Sequence, residues 1–382
     1  MKLYKSIILS LITSILILAI PHNTNAAMYV SANSAVLMEQ KSGRVLYEKD
    51  ANTKRRIASI TKIMTAILAI ESGNLDKKVT ISENAVKAEG SSIYLKAGEK
   101  IPLRDLVYGL MLRSGNDAAV AIAESVGGSL DGFVYLMNQK AEQIGMSNTH
   151  FENPHGLDDH ENHYSTAYDM ALLTRYAMNN DTYKKIAGTK NYKSANPSEK
   201  WDRVWKNKNR LLTERYEYST GGKTGFTKRA KRTLVSTAKK DGLELIAVTL
   251  NDPDDWNDHI NMFETSFKKY KLEQVIENGK LKEINNNFYK NKLYIKQDYQ
   301  YPITAEEKNL IEIEYKLANV KAEWKKDEKK TPDIVGQVQI YFDDKIVDTI
   351  PIYYQHNKKK NKSFLEYFKQ MFIAINGVGS DG

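Results

Sequence analysis

The sequence predicts an α+β fold: an antiparallel sheet flanked by helices, with an inserted helical region, followed by a small all-β domain and a C-terminal amphipathic helix. Three observations carry this prediction. A short strand hairpin opens the chain after a leader, helical periodicity then runs from Ile57 to about Met178, and paired strands return at Arg232–Ala238 and Leu243–Leu250. Strands on both sides of a helical block make one sheet covered by helices.

The leader is MKLYKSIILSLITSILILAIPHNTNA. Two lysines precede an apolar run from Ile7 to Ile20, Pro21 breaks it, and Thr24-Asn25-Ala26 supplies small residues at a cleavage site. Residues 1–26 are therefore expected to be a signal peptide, and the apolar run is short for a bilayer span. Export brings no disulfides, because the 382 residues contain no cysteine, which also excludes a thiol nucleophile and a thiolate metal site. So long a chain is more than one core usually organises, so two domains are expected. The net charge of +9 suits an anionic envelope, and no recognition module points to nucleic acid.

The catalytic-sized domain spans residues 27–270. Its opening segment, SAVLMEQKSGRVLY (Ser34–Tyr47), reads as two strands turning at Lys41-Ser42-Gly43. Loops such as AEGSS and NPHGLDD interrupt the helical block. The two later strands are joined by a turn containing Asp241-Gly242, a strong hairpin signal. From about Lys271 the composition shifts to Lys, Asn, Tyr and Ile in short alternating runs such as LIEIEYKL. A second hairpin, VGQVQIYFDDKIVDTIPIYY, turns at Asp343-Asp344-Lys345, so residues 271–355 read as the all-β domain. Residues 356–382 are a basic linker and a helix in which Phe364, Leu365, Phe368, Met371, Phe372 and Ile375 recur at helical spacing. Twelve residues reach only about 18 Å, too little to cross a bilayer, so the helix is expected to lie in the interface of an anionic membrane.

The chemistry begins in RRIASITKIMTAILAI, where Ser59 and Lys62 are three apart. A serine hydroxyl is a poor nucleophile until a base takes its proton, and lysine is a base only when burial or a nearby cation lowers its pKa. Spacing alone does not choose this pair, because Ser236/Lys239 and Ser266/Lys269 match it. Only Lys62 is followed by a long apolar helix that would force the amine into a dry environment. Ser114-Gly115-Asn116 links two apolar helices and can offer a second hydroxyl and an amide to a shared cleft, whereas Ser72-Gly73-Asn74 is an ordinary helix end. Lys223-Thr224-Gly225 precedes the late strands, where an edge strand could pair with an extended peptide; Lys41-Ser42-Gly43 is its decoy in a hairpin turn.

SITK, SGN and KTG, in that order, resemble the three signatures of active-serine penicillin-binding proteins and serine beta-lactamases. GSSIYLKAGE, HFENPHGLDDHENHYSTAYDMALL and GGKTGFTKRAKRTLVSTA are similar to segments of the low-molecular-mass members, the serine-type D-alanyl-D-alanine carboxypeptidases, over about Ala32 to Leu250. The resemblance implies a beta-lactamase/DD-peptidase-like fold. It also implies an enzyme that removes the terminal D-alanine of peptidoglycan stem peptides through an acyl-serine intermediate and is acylated by beta-lactams. Carried over by motif, Ser59 is the nucleophile, Lys62 its base and Ser114 the third catalytic residue. Asn116, Lys223, Thr224, Gly225 and Phe226 bind substrate, with the oxyanion between the Ser59 and Phe226 amides. Where the family often has a carboxylate-binding arginine, this chain has NDPDDWND; Arg232 or Lys228 is expected to substitute. His155, His160 and His163 with Asp158 and Asp159 fit the family's HGLD loop better than a zinc site, as no HExxH is present, so neither metal nor cofactor is expected.

Three alternatives compete. A class A beta-lactamase would add a deacylating glutamate in an E-x-x-L-N segment, which is absent. A DD-endopeptidase would use the same residues on cross-linked peptide, and a non-catalytic penicillin-binding envelope protein would use the strand domain as its interaction surface. The expected location is the outer face of the cytoplasmic membrane, held peripherally by the C-terminal helix, with some protein secreted.

Overall fold

The computed structural model describes residues 28–196, 199–282, 284 and 286–356. The expected signal peptide and the expected amphipathic helix at 364–375 lie outside the described residues. The chain divides into two compact units between Lys268 and Lys269.

The first unit opens with β1 (Ser34–Glu39) and β2 (Val45–Lys49) and continues into α1 (Lys62–Glu71), β3 (Lys78–Thr80) and α2 (Glu83–Val86). Next come β4 (Lys100–Pro102), α3 (Leu103–Arg113), α4 (Asn116–Gly127), α5 (Leu130–Gln143), α6 (Ala167–Met178) and α7 (Asp181–Ala187). It closes with β5 (Asn191–Ser194), β6 (Arg203–Lys206), β7 (Ser219–Thr227), β8 (Lys231–Lys240), β9 (Leu243–Leu250) and α8 (Asp255–Lys269). The main sheet has the order β2-β1-β9-β8-β7 and every pairing in it is antiparallel.

Alternation along the strands decides which layer each residue meets. Val235 and Val248 are register partners, and both join the large core formed with the helices of the inserted block. Their neighbours Ser236 and Thr249 point to the opposite face, where His259 of α8 hydrogen-bonds both, at 2.5 and 3.0 Å. The β8–β9 turn has positive φ at Asp241 (50°) and Gly242 (84°), the backbone that a two-residue hairpin requires.

Helix α1 has nine of its ten residues buried, from Lys62 to Ile70. A helix that is apolar all round belongs in a core rather than on a surface. Each of its large side chains is worth roughly 2–5 kcal/mol against truncation to Ala, so the helix is a rigid mount for whatever lies at its N-terminus. The sequence predicts helical periodicity from Ile57; instead a turn of 3₁₀-helix, Ala58–Thr61, precedes α1, entered through left-handed Ala58 (φ 49°).

The second unit has a sheet of order β11-β12-β16-β15-β14 and a separate pair β10-β13. Its strands are β10 (Lys271–Ile276), β11 (Gly279–Lys280), β12 (Leu293–Ile295), β13 (Tyr299–Ile303), β14 (Ile311–Leu317), β15 (Ile334–Phe342) and β16 (Lys345–Tyr354). The β15–β16 hairpin turns through Asp343 and Asp344, both at positive φ. The region is not purely strand: Ala322–Lys326 forms a short helix, α9. Its Trp324 is buried in the core with Tyr289, Val338 and Ile352. One helical turn lets a polar segment deliver that single large side chain inward.

Candidate active site

In a 3₁₀ turn, residues three apart eclipse one another. Ser59 and Lys62 are so placed, and Lys62 Nζ lies 2.9 Å from Ser59 Oγ. The amine also donates to the His155 carbonyl at 2.6 Å and has no solvent exposure. Burial drives the Lys62 pKa well below the ordinary lysine value, the positive charges of Lys223 and Lys208 push it the same way, and Asp117 opposes them.

The loop that supplies the His155 carbonyl is fastened to the nucleophile's own turn. Gly156 has φ +86°, and a β-carbon there would sit 1.8 Å from the Ala58 carbonyl oxygen. Asn153 Oδ1 accepts from the amides of His155 and Gly156, and Thr65 Oγ1 donates to the Pro154 carbonyl at 2.6 Å. His163 accepts the Glu152 amide on Nδ1, which turns its Nε2 toward Thr61 Oγ1, 2.9 Å away. Burial is the main reason that His155 and His163 have pKa values lowered to about 3. These are neutral, structural histidines, and among the described residues no group of three His, Cys, Asp or Glu could hold a metal ion.

Ser114 ends α3 in the left-handed region, φ 64°, and its Oγ accepts from Lys223 Nζ at 3.0 Å. Lys223 also donates to the Thr224 carbonyl at 2.7 Å and is 2% exposed. Burial, then the charge of Lys208, lowers its pKa to about 7. The site thus holds two serine–lysine pairs, Ser59 with Lys62 and Ser114 with Lys223. Asn116 begins α4 beside them: Nδ2 donates to the Glu89 carbonyl at 2.5 Å, while its buried Oδ1 has no partner. Asp117, next in sequence, accepts the amides of Ile93 and Leu95 and the hydroxyl of Ser92, which fixes the loop bordering the cleft.

The third motif lies on β7, the edge strand of the sheet. Thr224, Gly225 and Phe226 line a cavity of about 300 Å³ together with Ser59, Ser91, Ser114, Lys208, Arg232, Asp255 and Trp256. Lys223 lies behind Ser114 rather than in the lining, so its charge reaches the cleft through that hydroxyl and through space.

Of the two candidate carboxylate-binding cations, Lys228 is exposed and does not line this cavity. Arg232 does line it, but its guanidinium is bound to buried Asp255 at 2.6 Å and lies over the Trp256 ring. The sequence gives little warning of Lys208, which lines the cleft, donates to Ser91 Oγ at 3.2 Å, and has no ion-pair partner among the described residues. Three residues of the decoy motifs are occupied elsewhere. Ser236 is bonded to His259, Lys239 pairs with Glu244, and Ser72 Oγ donates to the Ala69 carbonyl at the end of α1.

Residues 21–254 match the family model described as D-alanyl-D-alanine carboxypeptidase, and residues 267–360 match the C-terminal domain of penicillin-binding protein 5. The D-alanyl-D-alanine carboxypeptidase DacF of Bacillus subtilis is 39% identical over 274 residues, 67% of this chain and 69% of that protein. A crystal structure of the D-alanyl-D-alanine carboxypeptidase DacD from Francisella tularensis aligns with a TM-score of 0.65 at 30% identity, covering 87% of this chain and 94% of that one. Penicillin-binding protein 5 from Haemophilus influenzae aligns with a TM-score of 0.69 at 25% identity, covering 86% and 98%.

Proposed function

The chain belongs to the D-alanyl-D-alanine carboxypeptidase family, and from that premise we propose that Ser59 is its nucleophile and Lys62 its general base. The protein is a serine-type enzyme that removes the terminal D-alanine of peptidoglycan stem peptides, and beta-lactams acylate it. The observation that carries the assignment is the 2.9 Å contact between Ser59 Oγ and an amine with no solvent exposure. A lysine that is neutral near physiological pH can accept the serine proton, which a solvated lysine cannot.

Ser59 Oγ attacks the carbonyl of the penultimate D-alanine while Lys62 takes its proton. The oxyanion forms between the backbone amides of Ser59 and Phe226, an arrangement worth about 10²–10³ in rate per donor. Ser114, hydrogen-bonded to Lys223, passes a proton to the departing amine. D-alanine leaves, and water, deprotonated by Lys62, cleaves the ester. Asn116 turns its unpartnered Oδ1 to the substrate's backbone amide. Thr224 and Lys208 hold the terminal carboxylate, and Arg232, its charge shared with Asp255, borders the same cleft.

Incubation of the mature protein with a peptide ending in D-alanyl-D-alanine should release D-alanine, and Ser59→Ala should abolish both release and covalent labelling by penicillin. Release that persists in the variant would remove Ser59 from the mechanism. Asp255 is the only carboxylate among the described residues lining the cleft, and it is already bound to Arg232, so rapid penicillin turnover is not expected. We further propose peripheral attachment to the outer face of the cytoplasmic membrane through the apolar stripe from Phe364 to Ile375. Flotation with anionic vesicles should carry the full chain and leave behind a chain ending at His356.

A further inference from the structure

The five-stranded sheet of the second unit has two unlike edges. One is β11, only two residues long; the other is β14, seven residues that pair with β15 in unbroken register from Ile311 opposite Phe342 to Leu317 opposite Gly336. The outer side of an edge strand carries backbone amides and carbonyls without ladder partners, and proteins commonly blunt such an edge with proline, a bulge or a very short strand. β14 has none of these, and no strand among the described residues pairs with its outer side. Alternation places Ile313 and Tyr315 on the core face, since Ile340 and Val338 across the ladder are fully buried. Yet Ile313 is 39% and Tyr315 44% exposed, so the apolar face of the sheet runs uncovered to its edge. The opposite face carries Glu312, Glu314 and Lys316, and the last two lie 3.3 Å apart with about half of each side chain in solvent.

We propose that β14 is a homodimer interface, at which it pairs antiparallel with β14 of a second copy of this chain about a two-fold axis at Tyr315. The residues of the strand select both the occupant and the register. For the two apolar faces to continue on one side of a joined sheet, the axis must pass through a residue, because a slip of one position turns every side chain over. Centred on Glu312, Glu314 or Lys316, the pairing sets a charge against its own copy; centred on Ile313, it sets Glu312 against Glu314. Like charges directly opposite destabilise a ladder, whereas opposite charges and aromatic pairs stabilise it. Centred on Tyr315, the pairing sets Glu314 against Lys316 twice, Ile313 against Leu317 twice, and the two Tyr315 rings against each other. A strand of arbitrary sequence has no reason to match all five positions, whereas a second copy matches them by symmetry. The product is one continuous sheet in which the exposed Ile313 and Tyr315 gain apolar neighbours and the outer backbone groups of both edges gain partners.

The chain contains no cysteine, so a single introduced thiol reports the register. Directly opposed residues of an antiparallel pair have Cα atoms about 4.5–5.5 Å apart, within reach of a disulfide. Tyr315→Cys in the mature protein should therefore give a covalent dimer on mild oxidation, and Ile313→Cys, whose two copies lie four positions out of step, should not. Sedimentation velocity of the unmodified mature protein should show a concentration-dependent dimer in the micromolar range, since one strand from each copy buries less than a standard interface. Lys316→Glu should raise the dissociation constant about tenfold or more, and adding Glu314→Lys to the same chain should restore it, because the reversed pair again sets opposite charges face to face. A monomer throughout that range overturns the proposal, as does association that neither the charge reversal nor its rescue changes. Equal cross-linking of the two cysteine variants overturns the register. A monomer whose β14 amides gain protection from hydrogen exchange only when wall peptide is added gives the edge to another occupant and equally overturns self-pairing.

Discussion

Gly225 approaches Ser59 so closely that a β-carbon on the glycine would lie 2.9 Å from the serine's backbone nitrogen and 2.4 Å from Thr233 Oγ1. A side chain at position 225 must therefore push the edge strand away from the nucleophile's turn, and with it the Phe226 amide. Gly225→Ala should lower the rate of penicillin acylation about 10²–10³-fold, the usual cost of one oxyanion donor, while thermal unfolding stays cooperative. Acylation at the native rate would show that this amide plays no part.

Lys62→Arg keeps a long cation next to Ser59 but removes the base, because a guanidinium stays protonated even when buried. The expected loss of acylation is at least about 10³-fold, in line with general-base contributions of about 10²–10⁴. Stopped-flow labelling with a fluorescent penicillin measures it. A loss of only a few-fold would show that the proton goes elsewhere.

Lys208 adds positive charge near both buried lysines and lowers the pKa of each. Removing a cation favours the protonated forms of its neighbours, so Lys208→Ala should raise the Lys62 pKa and move the acidic limb of the acylation profile to higher pH. The same variant should weaken substrates that carry a terminal carboxylate more than their amidated analogues. A limb that stays in place, with unchanged preference for the carboxylate, contradicts both roles.

The buried histidines and Lys223 should make stability rise with pH on the two sides of neutrality, while Asp252, whose pKa burial raises from 3.8 to about 6, opposes the histidines between those two values. His155, His163 and His259 are held near pKa 3, with burial the leading cause, against an ordinary 6.5. Between those values the unfolded chain binds protons that the folded chain refuses, so stability falls as pH drops from 6.5 toward 3. Lys223, at about 7 against an ordinary 10.5, acts in the same sense at higher pH, adding stability as pH climbs through that interval. Each such group contributes at most about 1.4 kcal/mol per pH unit. Urea midpoints at pH 7.5 and 5 should differ clearly, and His259→Asn should flatten the dependence. A midpoint that does not change between those pH values would leave these histidines without a buried neutral state to lose.

The sequence was most legible where local rules and chemistry coincide. Asp241-Gly242 and Asp343-Asp344 announce tight hairpins, and the apolar run after Lys62 announces a buried helix, because turn backbone and helix burial are decided within a few residues. Ser59, Ser114 and Lys223 can be picked out as motifs, yet nothing in their spacing states that Lys223 bonds Ser114 across 109 positions. Lys208 was hidden for a different reason. It is one lysine in a lysine-rich segment, NKN, and becomes part of the cleft only because its backbone amide donates to the Leu112 carbonyl, which carries it to the end of α3. Arg232 shows the converse. It could be read as a free cation until Asp255, 23 residues later, proved to be its partner.

The five-stranded sheet joins residues from both ends of its unit. Strand β1 lies between β2 and β9 and pairs Ser34 with Leu250, so the centre of the sheet is made from the first strand and the last. The site strand β7 rests on β8, and β8 on β9. A nascent or partly translocated chain that stops short of residue 250 therefore has its nucleophile and both lysines but no support on which to align them. Contacts so distant in sequence also form late, since the intervening loop must close before they stabilise anything. Reactivity toward wall peptides is thus delayed until nearly the whole first unit has emerged, a timing set by strand order and independent of any inhibitor or accessory factor.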